Sequence, residues 1–228
     1  MDLPKWSHTV QWSHSGLKQY ETCARQYYEV KILKRYPREE TEQTAYGTRL
    51  HEQAELLVKD GKPLDPAFKF MQPAMDKLLA MPGRKYPEYE MALTHDLNPC
   101  AFKSPDYWVR GIADLVIVDD DNLTARVFDY KSGGDKYPDT DQLTLMSLMV
   151  FRHFPHVRHV TSGLLFVLRN TVVKHKVSRE QEQNLWWKYR ERVGSIALSH
   201  GNESWPPTQS GLCKKYCAVR SCELNGRN

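Results

Sequence analysis

The sequence has no apolar run approaching the roughly 18 residues needed to cross a bilayer, so no membrane-spanning helix and no membrane partner are expected. The opening residues Met1-Asp2-Leu3-Pro4-Lys5-Trp6 hold no apolar signal core, which makes secretion an unlikely route and a cytoplasmic setting, in a cell or an infected host, the expectation. No internal repeat or low-complexity segment occurs, so a stacked-repeat architecture is excluded. Charge of one sign is barely in excess: 32 Lys and Arg against 28 Asp and Glu leave +4, with a pI near 8.7. That balance permits a polyanionic partner without requiring one. Cysteines number only five, and in a cytosolic protein a disulfide framework is a poor first reading for them.

What is present suits one well-cored domain: 228 residues, 40% of them hydrophobic, with no stretch that reads as a linker. The expected organisation is a single domain over 1–228. It comprises an N-terminal helical segment to about residue 40 with Cys23, a core over 41–204 and a cysteine-rich tail over 205–228. Ser13 or Ser15 can cap a helix through Leu17, Tyr20 and Tyr27 toward Leu33. A second helix fits 44–58, where Leu50, Ala54, Leu57 and Val58 form an apolar stripe that Gly61 ends, and a short one fits 75–79. Strands are expected over 88–94, 107–118 and 123–131, the last two joined into a hairpin by Asp119-Asp120-Asp121-Asn122. A helix opened by Asp139 or Thr140 precedes strands over 160–168 and 172–177. Ser178 with Gln181 forms a capping box for a final helix. This order predicts an α/β fold with a small mixed sheet between helices.

Two stretches carry candidate chemistry. Lys18, Arg25, Lys31, Lys34, Arg35 and Arg38 crowd one segment, interleaved with Tyr20, Tyr27, Tyr28 and Tyr36. This reads either as a solvated helix face or as a surface whose rings stack on bases. The more informative stretch is Asp129-Tyr130-Lys131. Alternation along a strand puts Asp129 and Lys131 on one face and Tyr130 on the other. The hairpin brings Asp114 alongside on the neighbouring strand. Two carboxylates can hold a divalent ion, and a neighbouring ammonium can handle a water or a developing negative charge. An Asp-x-Lys triplet alone is common on exposed strands. Here it is accompanied by His51 upstream and by Gln142 in the first turn of the following helix, and imidazole with carboxylates suits Mg²⁺ or Mn²⁺.

The set Gly47…His51, Gly111-x-x-Asp114, Asp129-Tyr130-Lys131 and Gln142 resembles the PD-(D/E)XK nuclease superfamily. Within it, the set is most similar to the RecB-like branch that includes the CRISPR-associated exonucleases and the AddB nuclease domain. The resemblance runs from Ser15 to Cys222 and implies a restriction-endonuclease-like core. It implies that His51, Asp114, Asp129 and the backbone carbonyl of Tyr130 ligate Mg²⁺ or Mn²⁺. Lys131 would position or activate the attacking water, and Gln142 would orient Lys131 or the DNA. Where family members often carry a tyrosine four residues after the glutamine, this chain has Met146. Glu90, before the hairpin, is either an accessory acid or a solvated strand residue.

The same branch carries one early and three late cysteines around a 4Fe–4S cluster. Cys23, Cys213, Cys217 and Cys222 match that split, so the resemblance implies a cluster clamping the two ends of the chain. Ala24 stands where the family commonly has proline, and the late spacing is x₃ then x₄ rather than x₂ then x₅. Four thiolates also suit Zn²⁺, which stays open as the alternative. Cys100 is left over as a free thiol, and Trp186-Trp187 is given no function. The implied activity is a metal-dependent DNA exonuclease, acting on single-stranded ends in recombination, repair or phage DNA processing. An endonuclease on the same fold and a non-catalytic nucleic-acid-binding module are the alternatives.

Overall fold

Five strands form one mixed sheet in the order β1-β2-β3-β4-β5: β1 is Arg84–Leu93, β2 Val109–Asp119, β3 Thr124–Lys131, β4 His159–Phe166 and β5 Thr171–Ser178. The computed structural model describes residues 10–37, 41–133 and 138–226. The expectations placed on Met1–Trp6 and on Arg38 lie outside them. The chain divides into two compact units, Glu40–Trp186, and Met1–Glu39 together with Trp187–Asn228.

The first unit contains the sheet. Strands β1, β2 and β3 are antiparallel neighbours, β3 and β4 run parallel, and β5 returns antiparallel to β4. The parallel step needs a crossover, and helix α5 (Thr140–His153) supplies it. The β2–β3 turn forms where its acids predict: Asp119 accepts from the Asn122 backbone N–H at 3.3 Å and from its side-chain amide at 2.9 Å. Helices α3 (Glu42–Asp60) and α4 (Gln72–Leu79) cover one face of the sheet. Leu50, Ala54, Leu57, Met71 and Met75 pack there with Leu115, Ile117, Phe128, Tyr130 and Leu165. Each large side chain buried in this layer contributes roughly 1.5–3 kcal/mol. Leu143 of α5 packs with Leu164 and Phe166 in a separate cluster.

Caps fall where the sequence places them. Asp139 accepts from the Asp141 N–H at the start of α5, and Gly61 ends α3 in the left-handed conformation at φ 66°. Gly111 answers to packing instead: a Cβ there would stand 2.7 Å from Met146 Cε, so glycine lets α5 lie close on β2. Among the described residues no helix is long and apolar enough to cross a membrane.

The second unit is helical and irregular. Ser13 caps α1 (His14–Thr22), accepting from the Gly16 N–H at 3.3 Å. The single helix expected from Ser13 to Leu33 is interrupted at Cys23, whose backbone is extended at φ −166°. The chain resumes as α2 (Ala24–Tyr27) and a π-helical turn over Tyr28–Ile32. Helix α6 (Glu182–Gly201) continues into this unit, where Trp12 stacks on Tyr189 at 5.7 Å and Arg192 clasps Glu21 at 2.6 and 2.9 Å.

The tyrosines of the basic segment serve the packing of this unit. Tyr28 stacks on Trp205 at 4.9 Å and Tyr27 does so at 5.9 Å. The Tyr20 hydroxyl donates to Ser195 O at 2.8 Å, and that of Tyr36 to Ser221 Oγ at 2.9 Å. Tyr20, Tyr27 and Tyr28 thus pack on Trp205, which gives these three rings a structural role, while Tyr36 is engaged through its hydroxyl.

Candidate functional site

The β2–β3 ladder pairs Asp119 with Thr124 and runs to Leu115 opposite Phe128. One step further the same register sets Asp114 across from Asp129, and there the ladder stops. The Tyr130 N–H, released from strand pairing, donates to the Asp114 carboxylate (Oδ2) instead. Strand alternation then does what the tripeptide predicts: Tyr130 is buried in the layer under α3 and α4, while Asp129 and Lys131 face the other way. Asp114 and Asp129 are each only 8% exposed.

Helix α5 brings the glutamine. With Asp139 fixing its start, Gln142 lies in its first turn, donating Nε2–H to Asp129 Oδ1 and accepting from Lys131 Nζ at 3.3 Å. Lys131 Nζ also lies 2.6 Å from Asp129 Oδ2 in a close ion pair. Gln142 thus bridges the acid and the base of the tripeptide and holds both in one arrangement.

Helix α3 brings the imidazole. Leu50 and Ala54 bury its apolar stripe, and His51, beside that stripe, meets the strand opening. His51 Nδ1 lies 3.2 Å from Asp114 Oδ1, Nε2 lies 3.2 Å from the Tyr130 carbonyl oxygen, and the ring sits edge-on to the Tyr130 ring at 5.9 Å. Both ring nitrogens face acceptors, an arrangement that suits the doubly protonated ring. Burial pulls the His51 pKa down, but the Asp114 hydrogen bond and the charges of Asp114, Glu88 and Asp129 outweigh it and leave it raised. The Asp129 carboxyl is raised as well, by burial first and by Asp114 second, against the opposing pull of Lys131 and His51.

All six sequence-predicted residues, His51, Asp114, Asp129, Tyr130, Lys131 and Gln142, are therefore brought together. Glu90 is solvent-exposed on β1. The acid that does approach is Glu88, which sequence reasoning missed. Its Oε1 lies 3.9 Å from His51 Nδ1, and burial with the Asp114 charge pushes its carboxyl up to about 7. Its backbone is left-handed at φ 43°, a conformation that costs a non-glycine residue roughly 1–2 kcal/mol and that no local pattern announces. Pro87 is the one visible signal: it lacks an N–H for the ladder and marks β1 as an edge strand.

Ligand atoms of His51, Glu88 and Asp114 lie within 4.8 Å of one another. Carboxylate and carbonyl oxygens with one imidazole are the donor set for Mg²⁺ or Mn²⁺, and the solvent-shielded Glu88 Oε1, which makes no hydrogen bond among the described residues, fits such a set.

The four predicted thiols occur in the terminal unit. Thr208 ties two of them: its N–H donates to Cys23 Sγ at 3.4 Å, and its carbonyl oxygen accepts from Cys213 Sγ at 3.8 Å. Burial pushes the Cys217 thiol up, and the neighbouring Cys213, Cys23 and Cys222 add to the shift. Among the described residues no three of these sulfurs come within 4.8 Å of one another. Cys100 sits in the β1–β2 connection, where burial and Asp106 raise its pKa.

Among solved structures, a candidate exonuclease from Eubacterium rectale is 14% identical, with a TM-score of 0.53, covering 96% of this chain and 94% of its own. The crystal structure of SSO0001 is 13% identical, with a TM-score of 0.49, covering 94% of this chain and 86% of its own. No curated protein matches the sequence. The family model for the PD-(D/E)XK nuclease superfamily matches residues 11–222, nearly the whole chain, and the protein belongs to that superfamily.

Proposed function

We propose that this nuclease is a Mg²⁺- or Mn²⁺-dependent deoxyribonuclease that degrades DNA from an end, single strands in preference to duplex. The observation that carries the reading is the convergence of His51, Asp114, Asp129 and the Tyr130 carbonyl at the point where β2 and β3 separate, with Lys131 alongside. These groups would hold the cation, which when bound lowers the pKa of a water and offsets charge on the scissile phosphate. Lys131 adds a fixed positive charge beside that phosphate. Gln142 engages both Lys131 and Asp129 and so fixes the ammonium relative to the carboxylate it pairs with. End-directed cleavage is supported by the motif order shared with the RecB-like branch, which includes exonucleases. A role in recombination, repair or phage DNA processing, in the cytoplasm, is the corresponding setting.

Cys23, Cys213, Cys217 and Cys222 would hold a 4Fe–4S cluster that ties α1 and α2 to the C-terminal tail. The reading rests on the split of one early and three late cysteines, the pattern of the RecB-like branch, and on the proximity of Cys23, Cys213 and Cys222 to Cys217. Four thiolates holding Zn²⁺ is the alternative. Protein purified without oxygen should be brown, with iron and sulfide bound; colourless protein with stoichiometric zinc would overturn this part.

A time course on single-stranded DNA labelled at either end, with Mn²⁺, Mg²⁺ or EDTA, alongside closed single-stranded circles, tests the activity. Cation-dependent loss from one end with circles spared is the expected result. Cut circles would make it an endonuclease, and binding without cleavage under any cation would make it a binding module.

A further inference from the structure

We propose that Glu88 is a further side chain of the divalent-cation site, contributing its carboxylate beside His51 and Asp114. This rests on the cation-dependent reading above and extends it to a residue that lies in none of the motifs. The first observation is placement. Pro87 pairs with Leu115 and Tyr89 with Ala113, so Glu88 stands directly across from Asp114 on the neighbouring strand. The second is the backbone. Within an otherwise extended strand Glu88 adopts φ 43°, and glutamate has none of the tolerance for that region that glycine or asparagine has. Strain of this kind persists only where the surroundings impose it, and here it accompanies an acid directed at the site.

The third observation is the state of the carboxylate. Glu88 Oε1 is shielded from solvent and makes no hydrogen bond among the described residues, with His51 Nδ1 at 3.9 Å. One oxygen each of Glu88 and Asp114 and a nitrogen of His51 lie within 4.8 Å of one another. A structural role would supply a donor to that oxygen, because a buried acceptor left unpaired is unfavourable. With Asp114 and Asp129 close by, a third carboxylate is tolerated best when a cation shares the space. Glu90, two residues along the same strand, has an ordinary exposed position and provides the control.

The test is Mn²⁺ binding to the full chain without DNA, followed by electron paramagnetic resonance and by the rise in melting temperature that Mn²⁺ produces. Glu88→Gln and Glu88→Ala should each weaken Mn²⁺ affinity about 10-fold or more and shrink the melting-temperature rise. Glu90→Gln should leave both unchanged. Both Glu88 variants should melt at or above the wild-type temperature in EDTA, since each removes a charge from a crowded site. Equal Mn²⁺ affinity and equal melting-temperature rise in wild type and Glu88 variants would overturn the assignment while leaving the cation-dependent reading intact. Absence of Mn²⁺ binding by the wild type would overturn both.

Discussion

The acidic site and the thiol group are built on different kinds of backbone. Asp114, Asp129 and Lys131 project from paired strands, and their positions follow from a register fixed between Asp119–Thr124 and Leu115–Phe128. Gln142 and the Tyr130 N–H then lock the carboxylates in place before any cation arrives. The cysteines occupy a helix interruption, a 3₁₀ turn over Gly211–Lys214 and the irregular chain beyond it, with Thr208 bonding Cys23 and Cys213 and Asn225 bonding the backbone of Cys217 and Cys222. A sheet can preorganise a site with its own hydrogen bonds, whereas irregular chain depends on the ligand to finish the geometry. The sheet site should therefore keep its shape without a cation, and the terminal unit should lose its order if the proposed cluster is removed.

Asp129→Ala should give the largest effect on the sheet side, lowering cleavage by about 10³-fold or more while DNA binding persists. Its melting temperature in EDTA should not fall, because a carboxyl that burial and Asp114 hold above its ordinary pKa is a cost to the fold when ionised. On the other side, Cys213→Ser should destabilise the terminal unit by about 2–5 kcal/mol, by analogy with opening a long covalent clamp. Hydrogen exchange checks it: protection should fall over α1 and the C-terminal tail and hold in the sheet. Equal loss in both regions would break the contrast.

Gln142→Ala should cost about 10–100-fold in activity, the usual scale for a residue that orients ligands. A pH series in EDTA sharpens the same contrast. The folded Glu88 carboxyl sits at about 7 against an ordinary 4.5, so the folded state holds this proton more tightly than the unfolded chain does. That stabilisation is fully present below 4.5 and is lost as pH rises through 7. Glu88→Gln should therefore melt higher than wild type above pH 7, and the gap should close as the pH falls to 4.5. Gly111→Ala should give the smallest effect, about 1 kcal/mol, because the flexible end of Met146 can yield to a new Cβ.

Most of the fold was legible because its signals are local. The acids of the Asp119–Asn122 turn announced the hairpin, and Ser13, Asp139 and Gly61 marked helix ends where the structure has them. Within the candidate site, a strand's two-residue period and the hairpin put Asp114, Asp129 and Lys131 together. His51, the Tyr130 carbonyl and the role of Gln142 came instead from the resemblance to the nuclease superfamily rather than from any local period. Glu88 escaped because its left-handed backbone is imposed by the surrounding site rather than by its neighbours in sequence. The break at Cys23 and the engagement of Tyr27 and Tyr28 with Trp205 escaped for a related reason. Their partners lie far along the chain, and no local pattern reveals them.

The measurement that bears most directly on the account is DNA cleavage by wild type and Asp129→Ala, side by side, across a Mn²⁺ titration, with DNA affinity measured on the same samples. The account predicts that wild type cleaves only when the cation is present, and that Asp129→Ala binds DNA as tightly yet leaves it intact at every Mn²⁺ concentration. Cleavage that survives EDTA, or a variant that cleaves like wild type, would contradict it.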